Sequence, residues 1–116
     1  MSSPYARSKQ QLEAAGYLVG RTEHWNSFVK IRQDLFGIID MICVKADELG
    51  VLGVQPTVGD RVSDHLKKAL ANKVLPVWLA AGNRFVIHGW RKVGDRGKRK
   101  LWECRLVPVT VEMFKN

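Results

Sequence analysis

Asp40 lies within an apolar run, Gly37-Ile38-Ile39-Asp40-Met41-Ile42-Cys43-Val44, and a second run, Val51-Leu52-Gly53-Val54-Gln55-Pro56-Thr57, follows a short connection. Side chains alternate across a strand, so Gln55 and Thr57 project to one face. If the two runs pair as a hairpin, Asp40 comes next to them. Three polar side chains at the edge of a hydrophobic sheet then need a purpose, and a metal-dependent nuclease site is one. A carboxylate and an amide carbonyl both suit a hard cation such as Mg²⁺. This set is short of negative charge, because Gln55 brings an oxygen without an ionised group.

Other residues with chemical potential are mostly basic. Arg61, His65 and Lys68 recur at i, i+4 and i+7, one side of a helix. They suit contact with phosphates, and equally an ordinary solvated helix face. Arg91, Lys92, Arg96, Lys98, Arg99 and Lys100 put six basic residues in ten, flanked by Trp90 and Trp102. Such a loop suits backbone phosphates with aromatic stacking beside them, and contacts of that kind position a polymer without reading its sequence. The two tryptophans sit in strand runs, which favours packing at the core or edge. His24 and His88 are isolated. The sequence shows no Ser/His/Asp or Cys/His constellation and no Gly-rich nucleotide loop. Cys43 and Cys104 lie in apolar runs without zinc spacing, and read as buried free thiols.

The 116 residues are enough for one domain with a small core. Nineteen Lys and Arg against eleven Asp and Glu give a net charge of +8, with an isoelectric point near 9.9. That balance favours a polyanionic partner: nucleic acid first, then an acidic protein, with a membrane surface last. No run reaches the ~18 apolar residues of a membrane span, and the first residues carry no apolar signal core. The expectation is a soluble, cytoplasmic protein.

The elements that must position these residues follow from pattern. Ser2 or Ser3 caps a helix that begins at Pro4, runs through Gln10, Leu12 and Ala15, and stops at Gly16. Tyr17-Leu18-Val19 starts a strand. Ser27 to Ile31 alternates and reads as a second strand, with Arg32 to Gly37 a loop. Ile38 to Val44 and Gly50 to Val54 form a hairpin through Lys45 to Gly50. Pro56 removes a backbone donor, so the strand is expected to distort there. Asp60 to Asn72 is an amphipathic helix, with Gly59 or Asp60 as its cap. Val74 to Ala80 reads as a strand near an edge, because of Pro76. Ala81 to Arg84 is a turn. Phe85 to Lys92 and Leu101 to Val107 are the last strands. One mixed sheet with helices packed on it buries these faces most simply.

This order, with these residues on these elements, resembles the PD-(D/E)XK nuclease superfamily, and most of all its small Holliday-junction-resolvase-like phage and bacterial members. The resemblance covers roughly Ser8 to Val107. Gly37-Ile38-Ile39-Asp40 matches the acid at the start of the second core strand, and Gln55-Pro56-Thr57 stands where the family has an acid, one residue and a lysine. The resemblance implies a restriction-endonuclease-like α/β fold, a mixed central sheet flanked by helices with a C-terminal strand pair. It implies hydrolysis of phosphodiesters in branched or duplex DNA with Mg²⁺ or Mn²⁺, held by Asp40, Gln55 and Glu13. Glu23 and Asp34 are alternatives to Glu13. Thr57 cannot do the work of the family lysine. Lys68, or its neighbour Lys67, can replace it from the following helix, whereas Lys45 differs from Asp40 by an odd number and faces the other way. A homodimer is expected if two strands are cut symmetrically. The alternative is a non-catalytic relative that keeps the fold and binds nucleic acid or a nuclease partner.

Overall fold

The computed structural model describes residues 3–94, 97 and 101–114. Five strands form a mixed sheet in the order β1-β4-β5-β6-β7: β1 (Leu18–Arg21), β4 (Met41–Val44), β5 (Leu52–Val58), β6 (Arg84–Val93) and β7 (Leu101–Val109). Neighbours pair antiparallel except β5 and β6, which are parallel. The crossover between those two contains helices α2 (Val62–Ala71) and α3 (Leu75–Ala80), as a parallel pair requires. Helix α1 (Pro4–Ala14) covers the opposite face. A small hairpin of β2 (His24–Asn26) and β3 (Ile31–Gln33) stands apart as its own two-stranded sheet. The mixed sheet, its flanking helices and the terminal strand pair are as the sequence predicts.

Strand alternation divides the core in two. Met41, Cys43, Leu52, Val54 and Val86 pack under Leu12 of α1. Ile39, Val62, Ala69, Leu75, Phe85 and Ile87 pack on the side of α2 and α3. Phe85 and Ile87 are almost wholly buried, each contributing about 2 kcal/mol of apolar transfer. Gly89 permits close approach on this second side: a Cβ there would run into Val62 at the start of α2.

Ser3 caps α1, its Oγ accepting from the Ala6 N–H at 3.1 Å, with Pro4 in the first turn. No side chain caps α2. A 3₁₀ turn, Gly59–Arg61, leads into it instead of a capping Gly59 or Asp60.

Three expectations are corrected. Val74 to Ala80 is not a strand, because the segment from Leu75 is α3. Asn72 Oδ1 accepts from the Val74 and Leu75 N–H groups at 2.9 Å, which is a cap, and Pro76 sits in the first turn, where its missing N–H costs nothing. Ser27 to Lys30 is not strand either, and of the expected stretch only Ile31 is, as the first residue of β3. Asn26 Oδ1 accepts from the Phe28 and Val29 N–H groups, Lys30 takes a left-handed φ of 56°, and this turn joins β2 to β3. The segment expected as a loop from Arg32 therefore begins with the end of β3.

The third correction concerns Pro56. β5 does not end or distort there but continues to Val58, in register with β6. Asp40 N–H donates to Val54 O and Arg84 N–H to Val51 O. Even-numbered residues of β5 therefore turn their backbone toward β4, and odd-numbered ones toward β6. Pro56 lies beyond the last residue of β5 that β4 reaches, so its missing donor faces no strand.

Candidate metal centre

Asp40 immediately precedes β4; its N–H donates to Val54 O at 3.1 Å, so Asp40 and Met41 both stand against Val54, and Gln55 is the next residue along β5. Gln55 and Thr57 alternate along β5 with Leu52 and Val54, which pack under α1, and so lie on the face toward α2. Both are buried, Gln55 with 2% of its surface exposed. Asp40 Oδ1 and Gln55 Oε1 are buried without a hydrogen-bond partner. Two buried, unpartnered acceptors are costly, each on the order of 1–3 kcal/mol.

A second acid reaches Asp40 through a tight turn. Leu35 and Ile39 exchange backbone hydrogen bonds at 2.9 Å, a register that sets Asp34 across from Asp40. The turn needs left-handed backbone at Phe36 (φ 56°) and Gly37 (φ 77°). Glycine takes that conformation freely, while Phe36 carries strain. Ile38 and Ile39 are wholly buried and anchor the turn. The third acid arrives from β1. Past Arg21 the chain leaves the sheet, with the Thr22 N–H still donating to Asp40 O at 3.0 Å and Thr22 Oγ donating to Ile39 O at 2.6 Å. Glu23 follows at once.

Glu23, Asp34 and Asp40 each offer a carboxylate oxygen, all within 4.8 Å of one another and all half-buried. Burial, a proton shared with Asp34 and the charges of Asp34 and Glu23 push the Asp40 carboxyl up to about 8, against the pull of Lys68. Without a cation Asp40 is therefore held protonated at neutral pH. A divalent ion would reverse that preference. Glu23 is partly neutralised by Arg32 at 3.1 Å and Arg21 at 3.8 Å.

A groove of about 440 Å³ opens beside the acids, lined by His24, Arg32, Gln33, Asp34, Gly37 and Lys68. Lys68 lines it from α2, beside Asp34, and its charge pulls the Asp40 pKa down. His65, one helical turn earlier, has a buried Nδ1 without a partner, and burial together with Lys68 and Arg61 holds its pKa below the usual value. Thr57 lies two residues beyond Gln55, in register with Gly89 where α2 begins. No other group of three such ligands occurs among the described residues.

Glu13 is not brought to this site. It is exposed near the end of α1, and α1 packs on the side of Met41 and Val54, opposite to Gln55. Lys45 is also elsewhere, its Nζ 4.9 Å from the centre of the Tyr17 ring. Asp34 and Glu23 take the place expected of Glu13. One local signal for Asp34 exists in the sequence: a glycine three residues before Asp40 marks a turn that can fold Asp34 back. Glu23 has none.

The basic loop is only partly described. Arg96, Lys98, Arg99 and Lys100 lie outside the described residues. Arg91 and Lys92 end β6 on opposite faces. Arg91 pairs with Glu103 at 3.2 Å, and Lys92 lies 5.3 Å from the Trp102 ring, which Arg7 covers at 3.9 Å. Arg61 is exposed at the entry to α2. Arg105, in register with Gly89 and Thr57, joins Arg91 on the face of the acidic cluster.

On the other face, Ser8 Oγ accepts from Trp90 Nε1–H at 2.8 Å and lies 2.8 Å from His88 Nδ1. Donating its single proton to Nδ1 satisfies all three groups. Burial depresses the His88 pKa to about 4. Ser8 is wholly buried, so this pair locks α1 to the sheet and offers no accessible nucleophile. Cys43 and Cys104 are free thiols, as expected, but only Cys43 is fully buried.

Comparison of the chain with family models, with curated proteins and with solved structures finds no match. No helix among the described residues is long and apolar enough to cross a membrane.

Proposed function

We propose that the chain is a divalent-cation-dependent endonuclease that hydrolyses phosphodiesters in DNA. The observation that carries this reading is the convergence of the Asp40, Asp34 and Glu23 carboxylates within 4.8 Å, with a buried oxygen of Asp40 and one of Gln55 left without hydrogen-bond partners. Those donors fit Mg²⁺ or Mn²⁺, which accept carboxylate and amide oxygens. Asp40, Asp34 and Gln55 would hold the ion, with Glu23 completing the charge. When bound, the ion supplies Lewis acidity and lowers the pKa of a water molecule.

The remaining work falls to the chain's own groups. Lys68 offers a positive charge at the groove, where charge grows on a phosphate under attack. Arg61, His65, Arg91 and Arg105 line the same side and suit the phosphates of a longer strand. Asp40 at the entry to the second strand of the sheet, Gln55 and Thr57 on the third and α2 after them also support the resemblance to the PD-(D/E)XK superfamily.

A second reading has its own support. Thr57 brings no charge where that family has a lysine, and Glu23 is already paired with Arg32 and Arg21. A chain with this site can retain the fold and bind nucleic acid without cutting it. One experiment separates the two: incubation with labelled four-way-junction, duplex and single-stranded DNA, with Mg²⁺ or Mn²⁺, for wild type and Asp40→Ala. Metal-dependent product from wild type alone supports the enzyme. Salt-sensitive binding without product, unchanged in the variant, supports the binding protein.

A further inference from the structure

The outer edge of the sheet is β7, nine residues long and exposed over most of its length. Where its unpaired backbone groups point follows from the rest of the sheet. Arg84 N–H donates to Val51 O, so even-numbered residues of β6 turn their N–H and C=O toward β5 and odd-numbered ones toward β7. The register Phe85↔Val109 through Val93↔Leu101 then commits the odd-numbered residues of β7 to β6. The N–H and C=O groups of Trp102, Cys104 and Leu106 point away from the sheet. Pro108 shares their parity, and its missing donor faces outward, the position a strand tolerates.

We infer that this edge is a self-association surface, on which β7 of a second copy pairs antiparallel about a two-fold axis at Cys104. In that register Trp102 faces the partner's Leu106 and Cys104 faces the partner's Cys104. Each of the three outward residues exchanges both hydrogen bonds with its opposite. Pro108 falls just beyond the paired stretch 101–107. Glu103 faces the partner's Arg105, twice by symmetry.

Charge selects this register over its neighbours. An axis at Glu103 sets that carboxylate against its own copy, and an axis at Arg105 does the same for the guanidinium. Like charges directly opposite destabilise a strand pair. The axis at Cys104 instead sets Glu103, which Arg91 of its own chain already pairs at 3.2 Å, against the partner's Arg105. On the other face it joins two apolar strips in which Leu106 is 56% exposed and Trp102 38%. A long, partly apolar edge that no further strand pairs among the described residues invites another chain, and here the pattern is complementary to itself, as a two-fold contact demands. The product is one ten-stranded sheet with both acidic clusters on the same side.

The test is sedimentation equilibrium of the full chain over a concentration series, with circular dichroism to verify folding of each variant. Wild type is expected to dimerise. Arg105→Glu and Glu103→Arg each place like charges across the axis and should raise the dimer Kd at least ~10-fold. An equimolar mixture of the two variants restores both opposite-charge pairs and should dimerise again. A monomeric wild type at the highest soluble concentration overturns the inference. So does a dimer indifferent to both variants, or a mixture that stays monomeric.

Discussion

Asp34 and Asp40 are brought together across the Leu35–Ile39 turn with carboxylate oxygens within 4.8 Å, and Asp40 Oδ1, like Gln55 Oε1 on β5, is buried without a hydrogen-bond partner. A protein core rarely leaves such acceptors unpaired. Asp34 and Glu23 add negative charge around Asp40, which helps to raise its carboxyl. Such a cluster would stabilise a bound cation at the expense of the empty fold, and its members should respond to substitution in ways that ordinary surface acids would not.

Asp40→Asn should stabilise the metal-free protein at neutral pH. The Asp40 pKa in the fold is raised from the usual carboxylate value to about 8. The stability associated with its protonated form is thus complete at low pH and is lost as pH rises from about 4 to about 8. The variant should lose that slope. Thermal unfolding between pH 4 and 9 checks this, and added Mn²⁺ should raise the midpoint of wild type but not of the variant.

Gln55→Glu should tighten divalent-cation binding by at least ~10-fold, since it adds a carboxylate where the site has a neutral oxygen. Titration calorimetry with Mn²⁺ reads the change directly. Metal-free stability should fall in the same variant, because a further buried acid joins three others. An unchanged Kd would show that Gln55 does not touch the ion.

Lys68→Ala should leave the fold intact, because the side chain is exposed on α2. It should reduce metal-dependent DNA cleavage by about 10² or more if Lys68 stabilises charge at the reacting phosphate. The same variant should raise the Asp40 pKa further, as Lys68 is the cation that lowers it. A shifted pH profile of metal binding distinguishes this role from a merely structural one.

Ser8→Ala should cost about 3 kcal/mol, because Trp90 Nε1–H and His88 Nδ1 both lose their buried partner. Denaturant unfolding measures it. His88 has its own pH signature. Its pKa in the fold is lowered to about 4, so the fold holds the ring neutral while the unfolded chain binds a proton. Stability should fall by up to about 3 kcal/mol as pH drops from about 6.5 to about 4, opposite in direction to the Asp40 effect.

Much of the scaffold was legible from local pattern. Period-two alternation put Gln55 and Thr57 on one face, and the helical stripe after Asp60 supplied α2 with Lys68 on its exposed side. Apolar runs located the central strands. Two local patterns misled. Val74 to Ala80 is apolar throughout, and a continuous apolar run suits a buried strand or a short helix equally. Asn72 and Pro76 decide for the helix. Ser27 to Ile31 alternates, yet the hydrogen bonds of Asn26 fold all but Ile31 into a turn.

The sequence by itself determined which segments are helix or strand wherever periodicity was unambiguous, and which residues share a strand face, because both depend on neighbours a few positions away. Only the tertiary structure decided which acids meet. Asp34 joins Asp40 through the register of a turn containing two left-handed residues, and Glu23 arrives where β1 leaves the sheet. Glu13 is excluded because α1 packs on the opposite side. These outcomes depend on which strands pair, in what register, and which face each helix covers. Non-local hydrogen bonds and burial settle that, and no short-range spacing encodes it.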